Sequence, residues 1–544
     1  MVAFDEKIIV TTALPYSNGE IHLGHIASTY LPADIFVRYL RLKGKNVIFV
    51  CGDDDFGTPI LVKAEEKRIS PKEYVELWHE DHKKDFSNLG ISFDFYYHTS
   101  SEEHIKLVQH FFKVLLEKGF IFEKEIEQFY CEYDKKFLPD RFLKGTCPFC
   151  GAKDQYGDGC EKCGRTYEPF QLKNPKCSIC GRKPIVKKSL HYFFKLSAFS
   201  DKLKDWLVNN KNLQDEVKNY VLRWTEEGLK DWDITRDISW GVPIPLEKAK
   251  GKVLYGWFDN HLGYISFTLK YLKEKNLDGK EFWNSSKIYH FIGKDIVYHH
   301  YLFLPAMRIA EGSFKLPDFI PTRGHLLLLG KKISKSRGWY ISVKDFIKKF
   351  NSDYLRYYLA SIIPYSQADV NFDWDEFQAK INNELVANIG NFIHRTLTFI
   401  WKNFDGKIPE PERKCEDVEK CLKEIFERVG ELIERNETDK ALREIVNFSS
   451  FFNQFFQKNE PWKTKDKTCL FLCANAVACL SILLEPYIPL SAKKIWELLN
   501  LNRRRSWKME EGYFLPPNHK INEPKIIFEK IEEQKIEEEK SKFA

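Results

Sequence analysis

The sequence lacks the features that mark several common classes of protein. It contains no GxxxxGK[ST] loop, so a P-loop nucleotide hydrolase is not indicated. Its longest apolar run, 469–484, is short for a bilayer span and contains Asn475 and Ser481, so it predicts a core helix. Thirteen cysteines in 544 residues fall short of a secreted disulfide scaffold, and no signal peptide is recognisable. These absences predict a soluble, cytoplasmic protein.

The chain also lacks a strong excess of charge of either sign. Lysine and arginine number 84 against 78 aspartate and glutamate residues, which gives a formal net charge of +6. So mild an excess is expected if nucleic-acid binding is concentrated in local patches. Neither an internal repeat nor a low-complexity linker is present, and a length of 544 residues implies several domains.

A first motif, the tetrapeptide His-Leu-Gly-His, lies between a predicted strand and a predicted helix. Residues 7–12 are apolar and β-branched, as in a buried strand, and the helix is predicted over about 21–42. His22 and His25 would share a face of its first turn, where backbone N–H groups and the helix dipole favour phosphate. Gly24 between them would let a nucleotide approach closely. Taken alone, the tetrapeptide is equally compatible with two surface histidines.

A second motif, Lys-Ile-Ser-Lys-Ser, follows a run of four leucines that predicts a strand end. Ser334 and Ser336 favour a loop, while Lys332 and Lys335 bring mobile positive charge. Phosphoryl and nucleotidyl transfer need cations placed where charge develops on the transferring group. Alone, the segment could be a basic, solvated loop. Together the two motifs predict a site that holds ATP and stabilises attack on its α-phosphate.

In this order, the two motifs resemble the signature motifs of class I aminoacyl-tRNA synthetases, and residues 8–462 are similar to methionyl-tRNA synthetases. The resemblance implies an α/β fold: a Rossmann-like parallel-sheet catalytic domain with a zinc-knuckle insertion, followed by an all-α anticodon-binding domain. It implies that methionine and ATP, with Mg²⁺, form methionyl-adenylate and pyrophosphate. The methionyl group then moves to the 3′-terminal adenosine of initiator or elongator tRNA(Met). By resemblance, His22, His25, Lys332 and Lys335 are catalytic, and ATP is bound by His22, Gly24, His25, Lys332, Ser334, Lys335 and Ser336.

Several predicted loops should converge on one cleft. In a parallel α/β sheet, the loops at the carboxyl ends of the strands build the ligand crevice. Strands predicted at 47–50 and 288–291, together with the two already described, would bring the loops after residues 12, 50, 291 and 329 to one edge of the sheet. An acidic side chain in such a loop can receive the ammonium group of an amino acid, and by resemblance that side chain is Asp54.

The side chain of methionine carries no charge by which the implied pocket could recognise it. A thioether is recognised by shape, aromatic contact and weak polar contact to sulfur. The family's pocket corresponds here to Leu14, Tyr16, Asp54, Trp257, Tyr264, Ile296 and His300. The chain departs from the better-known members at Asn260-His261-Leu262, where they carry Ala-Pro-Ile, at Phe56, where they carry His, and at Leu304, where they carry Trp. Without the two motifs, the aromatic set would be interpreted as core.

The cysteines include CxxC pairs with the spacing of zinc ligands. Two adjacent pairs supply four thiolates for a tetrahedral Zn²⁺: Cys147, Cys150, Cys160 and Cys163. A third pair has partners at the same spacing, which would form a second site: Cys131, Asp134, Cys177 and Cys180. The sequence is compatible with one or two zinc ions. All ligands would come from the protein with no open position, which predicts a structural role.

The predicted organisation follows from these features. The boundaries are 1–120 and 226–325 for the two catalytic halves, 121–225 for the insertion, 326–374 for the loop of the second motif and a connector, 375–510 for the helical domain and 511–544 for a helical or frayed tail. By resemblance, Asn391, Arg395 and Trp462 read the anticodon of the tRNA. No room is left for an added β-barrel domain, so we expect a monomer, or a tRNA-binding β-barrel protein acting in trans.

Alternative functions remain at this stage. Synthetases for isoleucine, leucine or valine would need a much larger insertion, and a cysteine-activating one would need an open zinc site to hold the substrate thiolate. A smaller nucleotidyltransferase does not need the long helical half. A zinc-bearing RNA-binding protein without catalytic activity would not need His22, His25 and Lys335 together.

Overall fold

A five-stranded parallel sheet organises the catalytic region in the computed structural model of the chain. The structure describes residues 6–157, 159–160, 162–163, 165–508 and 513–543, and the side chains of Asp140 and Ser336 lie outside the described part. Across the sheet the strands are Thr322–Arg323, Lys287–Gly293, Lys7–Thr12, Asn46–Asp53 and Phe95–His98. Val10 of the central strand pairs with Tyr289 on one side and Phe49 on the other. The predicted α/β fold is confirmed.

The order of the strands in the sheet indicates where the ligand crevice lies. The central strand Lys7–Thr12 lies between the strand that follows it in the chain and a strand that begins at residue 287. The direction of winding therefore reverses beside it, and ligands bind at the carboxyl ends of strands at such a reversal. The carboxyl ends at Thr12 and Gly293 are accordingly the edges of the expected site.

The first helix begins two residues later than predicted. It comprises Leu23–His25, a wider π-helical segment Ile26–Tyr30, and Leu31–Leu42. His22 precedes it with an extended backbone (φ −122°, ψ 167°) and is therefore the N-cap residue rather than a member of the first turn. The other helices and turns of the catalytic halves are Thr58–Lys67, Pro71–Leu89, Glu102–Glu117, Glu247–Ala249, Gly256–Asp259, Asn260–Leu262, Gly263–Glu274, Gly279–Ser285, Lys294–Ile296, the π-helical His299–Phe303, and Leu304–Glu311.

The insertion is built on antiparallel strands. Its larger sheet has the order Trp232–Asp233, Ile185–Phe194, Ile121–Cys131 and Lys136–Phe137, and its smaller sheet has the order Gln155–Tyr156, Leu143–Thr146 and Lys173–Cys177. Its helices and turns are Asp140–Phe142, Pro169–Gln171, Leu196–Phe199, Ser200–Asn209 and Asp215–Glu227. A short antiparallel pair, Thr235–Arg236 with Val253–Leu254, leads back into the catalytic region. The cysteine-bearing end packs against the helix Thr58–Lys67, since Leu61 shares a buried cluster with Cys131 and Cys147.

The second motif forms a small sheet of its own. Leu326–Leu328 pairs antiparallel with Lys331–Lys332 and parallel with Val370–Phe372. Leu329 and Gly330 make the intervening turn with positive φ angles of 50° and 75°. The connector adds the turn Lys335–Arg337 and the helices Val343–Ile347 and Ser352–Ile362.

Residues 374–498 are mainly helical, as predicted for this region. Its helices are Trp374–Lys380, the π-helical Ile381–Gly390, Asn391–Asn403, Glu416–Glu434, Thr438–Asn459, Pro461–Thr464, Lys467–Leu483 and Pro489–Leu498. Residues 468–483 of the most apolar helix are all buried, which confirms that this run is a core helix. Among the described residues, no helix combines the length and apolar character needed to cross a bilayer.

The last described segment packs back onto the connector. Phe528, Ile531 and Ile536 are buried in the core that begins at Ile8 of the sheet. The terminal helix Glu533–Lys540 and the turn Ser541–Phe543 follow, and the ring of Phe543 lies edge-on to Trp339 with centroids 5.3 Å apart. The segment therefore packs on the polypeptide of the second motif. The predicted boundary between residues 510 and 511 lies outside the described residues.

A buried ion pair joins the catalytic region to the connector. Arg356 donates to Asp34 at 2.7 Å, and neither side chain is exposed. The same guanidinium donates to the carbonyl of Tyr487, in the helical region, at 2.8 Å. Burial opposes ionisation of Asp34, but Arg38 and Arg356 lower the pKa of its carboxyl to about 2. One charged group of the connector thus contacts both the catalytic region and the helical region.

Candidate active site

The two signature motifs lie against each other. The N–H of Leu23 donates to the carbonyl of Ile341 at 3.1 Å, so the chain just beyond the second motif contacts the start of the first helix. A Cβ on Gly24 would lie 3.1 Å from Cδ1 of Ile333, which leaves no room for a larger residue without adjustment. One of the N–H groups expected to be free for phosphate is therefore satisfied by the protein itself.

The two histidines of the first motif form a stacked pair. Their ring centroids are 3.6 Å apart and the rings are inclined by only 15°. The backbone N–H of His22 donates to Nδ1 of His25 at 3.2 Å, which fixes the second ring. Burial lowers the pKa of His22 to about 3, with Lys335 contributing, and burial also places the pKa of His25 well below its usual value. Both imidazoles are neutral near pH 7 and can offer N–H donors but no charge.

Positive charge is supplied by the lysines of the second motif. Lys335 extends toward the loop before the first helix: a Cβ on Gly19 would lie 3.1 Å from its Cδ and 3.4 Å from its Nζ. Burial lowers the pKa of Lys335 to about 8, an effect that Glu20 opposes, so the amine is largely protonated at pH 7. Lys332 is exposed on its strand. Ser334 is tied to Trp339 by backbone hydrogen bonds of 2.9 and 3.0 Å.

A cavity of about 690 Å³ opens at the carboxyl ends of the central strands. Its walls include all the residues predicted to bind methionine and four of those predicted to bind ATP. These are Leu14, Tyr16, Asp54, Trp257, Tyr264, Ile296 and His300, with His22, Gly24, His25 and Lys332. Of the three remaining residues predicted to bind ATP, Ser334 and Lys335 are not among the walls of the cavity, and the side chain of Ser336 lies outside the described part of the structure.

The three consecutive aspartates have different surroundings, and two of them hold the structure together. The strand predicted to end at residue 50 runs on to Asp53, whose carboxylate accepts hydrogen bonds from His82 at 2.6 Å and Tyr96 at 2.6 Å. Asp55 accepts from the hydroxyl of Ser17 at 2.6 Å. Their roles are structural.

Asp54 is the member of the run that faces the cavity. Its Oδ2 accepts a hydrogen bond from Nδ2 of Asn260 at 3.1 Å, and its Oδ1 is buried with no hydrogen-bond partner in the described part of the chain. Burial raises the pKa of Asp54 to about 7, and the neighbouring Asp55 and Asp53 add to the effect while Asn260 opposes it. A buried carboxylate of this kind is stabilised by a cationic ligand.

The opposite wall is aromatic and rigid. The hydroxyl of Tyr264 donates to Nε2 of His300 at 2.8 Å, and Nδ1 of His300 donates to the carbonyl of Ile296 at 3.0 Å. These two bonds define a neutral tautomer, in agreement with burial lowering the pKa of His300 to about 4. The ring of Trp257 stacks on His299 with centroids 3.6 Å apart. Such a wall suits an apolar, polarisable side chain.

Several residues of the site were not predicted from the sequence. His299 supports Trp257, and the indole N–H of Trp240 donates to the carbonyl of Asp55 at 2.6 Å. At the rim, His325 contacts Asp295 at 3.2 Å. No motif spacing marks these residues, because they reach the cavity from separate elements. The departures at Asn260 and His261 line the cavity as well.

The first cysteine set has the geometry of a zinc site. The ligand atoms of Cys147, Cys150, Cys160 and Cys163 all lie within 4.8 Å of one another. The Sγ atoms of Cys147 and Cys163 are 3.9 Å apart and those of Cys150 and Cys160 are 3.5 Å apart. Four sulfurs about 2.3 Å from a tetrahedral ion would be about 3.8 Å from one another. The donors therefore fit Zn²⁺.

The second set also converges. Cys131, Asp134, Cys177 and Cys180 place their ligand atoms within 4.8 Å of one another. Oδ2 of Asp134 lies 3.1 Å from the Sγ atoms of both Cys131 and Cys177. Three thiolates and one carboxylate oxygen are a ligand set that zinc accepts. The two sets could each hold one metal ion.

The residues predicted to read the anticodon lie close together in the helical region. Asn391 and Arg395 are one turn apart on the helix Asn391–Asn403. The guanidinium of Arg395 lies 4.4 Å from the centroid of Phe456, whose other neighbour is Trp462 at 5.9 Å. Trp462 is 41% exposed. An exposed indole at the end of such a column can accept a stacked base.

The sheet order and the contact between the two motifs define a class I aminoacyl-tRNA synthetase. The family model for class I tRNA synthetases (M) matches residues 8–397, and the model for the anticodon binding domain of methionyl tRNA ligase matches residues 408–544. The chain belongs to the methionine–tRNA ligase family. Its activity is the activation of methionine by ATP and the transfer of the methionyl group to tRNA, so the predicted resemblance and enzyme class are confirmed.

Relatives cover nearly the whole chain. The methionine–tRNA ligases of Methanopyrus kandleri and Methanocaldococcus jannaschii are each 46% identical, over 98% and 99% of this chain respectively and 81% of each relative. The structure is similar to that of Mycobacterium tuberculosis methionyl-tRNA synthetase in complex with methionyl-adenylate. That match has a TM-score of 0.80 at 23% identity and covers 96% of this chain and 99% of the other, which supports the fold.

Proposed function

We propose that the cavity binds methionine with its ammonium on Asp54 and its thioether against Trp257, Tyr264 and His300, while ATP lies across the contact between the two motifs. The observation that carries this proposal is the buried Oδ1 of Asp54, which has no partner among the described residues and lies in the cavity that His22 and His25 border. A cationic group supplied by the substrate satisfies this oxygen. Leu14, Tyr16 and Ile296 complete the pocket.

The reaction needs positioning and electrostatic stabilisation rather than a nucleophile from the protein. The methionine carboxylate attacks the α-phosphate and pyrophosphate leaves, so charge grows on the phosphate oxygens. The neutral imidazoles of His22 and His25 donate hydrogen bonds there, and Lys332 and Lys335 add positive charge. Gly24 leaves space for the nucleotide, and Ser334 and Ser336 shape the loop. Mg²⁺ carried by the ATP phosphates supplies further positive charge.

The second step requires tRNA(Met), bound through the helical region. The exposed Trp462, backed by Phe456 and Arg395, supports a role in stacking an anticodon base, with Asn391 hydrogen-bonding base edges. We propose that the protein acts in the cytoplasm as a monomer, or with a separate tRNA-binding β-barrel protein.

The insertion holds two zinc ions in structural roles. One ion is bound by Cys147, Cys150, Cys160 and Cys163, and the other by Cys131, Asp134, Cys177 and Cys180. What supports this proposal is the convergence of both donor sets within 4.8 Å and the absence of disulfides among the described cysteines. Four protein ligands leave no open position for chemistry.

The first experiment is amino-acid-dependent exchange of labelled pyrophosphate into ATP, run with each of the twenty amino acids. Exchange with methionine alone supports the pocket assignment, whereas exchange with another amino acid refutes it. Lys335→Ala should lower this exchange about 10²- to 10³-fold, because one stabilising cation is lost, and should leave tRNA binding intact. The matched control is Lys331→Ala, which removes an exposed lysine of the same loop. Equal effects of the two variants would contradict the role of Lys335.

A further inference from the structure

Asn260 brings an additional polar group to the methionine end of the cavity. It occupies the short turn Asn260–Leu262, is 8% exposed and lines the cavity beside Asp54. Its side chain therefore bears on how this chain holds its substrate.

The orientation of the Asn260 amide follows from its partner. When the Asp54 carboxyl is ionised it only accepts hydrogen bonds, and the group that donates to its Oδ2 at 3.1 Å is the Nδ2 amide group of Asn260. The carbonyl oxygen Oδ1 of Asn260 then points elsewhere. It is buried and has no hydrogen-bond partner in the part of the chain that the structure describes, like Oδ1 of Asp54. Buried acceptors without donors are unfavourable, so both oxygens suit a ligand that brings N–H groups.

We propose that Asn260 is a substrate-binding residue: its Oδ1 accepts a hydrogen bond from the methionine ammonium while its amide NH2 group holds the Asp54 carboxylate in place. This inference rests on the proposed function, since it assumes that the ammonium occupies the Asp54 site. An ammonium carries three N–H donors. Asp54 Oδ1 and Asn260 Oδ1 accept two of them, and an alanine in place of Asn260 leaves the second donor without this partner.

The test uses ligands that separate the ammonium from the rest of the substrate. Dissociation constants are measured by tryptophan fluorescence or calorimetry for methionine and two analogues. Methioninol keeps the ammonium but lacks the carboxylate, and 4-(methylthio)butanoate lacks the ammonium. For Asn260→Ala we expect methionine and methioninol to bind about 10- to 100-fold more weakly, as for loss of a hydrogen bond to a charged group. Binding of 4-(methylthio)butanoate should change by less than about twofold.

The matched control is Ile296→Ala, which removes apolar wall from the same cavity and should weaken all three ligands alike. Uniform weakening by Asn260→Ala as well would show a packing effect and overturn the proposal, as would unchanged affinity for methionine. If Asn260→Ala melts far below the unaltered protein, Asn260→Ser takes its place, with the same selective loss expected. Absence of methionine-dependent pyrophosphate exchange in the unaltered protein would refute the proposed function and this inference with it. Normal exchange with no selective loss would refute only the role of Asn260.

Discussion

The affinity for methionine should depend on pH through the carboxyl of Asp54. Burial raises its pKa from the usual 3.8 to about 7, so the free site is about half protonated at neutral pH. Only the ionised carboxylate attracts the substrate ammonium. The ionised fraction is about 0.9 at pH 8 and about 0.09 at pH 6, so KM for methionine should be about tenfold higher at pH 6 than at pH 8.

The substitution Asp54→Asn tests whether this carboxyl is responsible. Tyr16 and Tyr264 also line the cavity and Asp259 is buried near Asp54; burial raises the pKa of each, so a pH response of the unaltered protein alone does not identify the group. In the Asn variant, KM should be flat between pH 6 and pH 8 and about 10- to 100-fold higher than the value of the unaltered protein at pH 8. The assay is pyrophosphate exchange at saturating ATP, with the amino acid varied. A response to pH that survives in Asp54→Asn would refute the reasoning.

Ionisation of the same carboxyl should favour methionine binding but lower the stability of the folded protein. Its pKa is raised in the folded protein, so its ionisation opposes folding once the pH exceeds the value of 3.8 usual for the unfolded chain. The resulting loss in the free energy of unfolding reaches its full size above pH 7 and is at most about 4 kcal/mol. Asp54→Asn should therefore raise the melting temperature at pH 8, and the gain should shrink as the pH falls through 7 and vanish near pH 4. A lower melting temperature of the variant at pH 8 would show that the carboxylate is satisfied within the protein.

Other perturbations separate the remaining parts of the molecule. Trp462→Ala should weaken tRNA binding by about 1–3 kcal/mol in a filter-binding assay and leave pyrophosphate exchange unchanged, because a stacking surface is lost far from the cavity. Cys160→Ser and Cys177→Ser should each lower the zinc content, measured by atomic emission, from about two ions per chain to about one; one ion in the unaltered protein would exclude the second site. Arg356→Met should destabilise the protein by about 1–3 kcal/mol, seen by calorimetry as a lower melting temperature, because the buried Asp34 carboxylate loses one of its two arginine partners and keeps Arg38 at 2.8 Å; an unchanged melting temperature would contradict this role.

The local signals in the sequence were sufficient for the elements that local chemistry determines. The strand expected at residues 7–12 is Lys7–Thr12, since its β-branched and apolar residues are buried between two neighbours. The next strand was predicted to end at residue 50 but continues through Gly52. Glycine is a poor strand former, yet it is required there, because a Cβ would lie 2.4 Å from the carbonyl oxygen of Tyr97. Strand propensity therefore fails to predict a glycine that is needed because two backbone segments approach closely.

Contacts between distant segments could not be predicted in this way. The extended backbone of His22 pairs with Ser342, and the N–H of Leu23 donates to the carbonyl of Ile341; no pattern near either segment encodes that pairing. Asp54 and Asn260 are 206 positions apart and meet only through the sheet topology. Both cysteine sets were recognised from ligand spacing, but the spacing does not show that the strand ends bring the Sγ atoms of Cys131 and Cys180, 49 positions apart, to 3.5 Å from each other.

The buried contact between Asp34 and Arg356 has a consequence for how the protein recognises a long substrate. A fully buried ion pair adds little net stability compared with an apolar pair, but it tolerates few alternative geometries. Because Arg356 also binds the carbonyl of Tyr487, the helical region is held at a set position relative to the cavity. We infer that the distance between Trp462 and the cavity is set before the tRNA binds. A tRNA is then accepted when its anticodon and its 3′ end are separated by that distance.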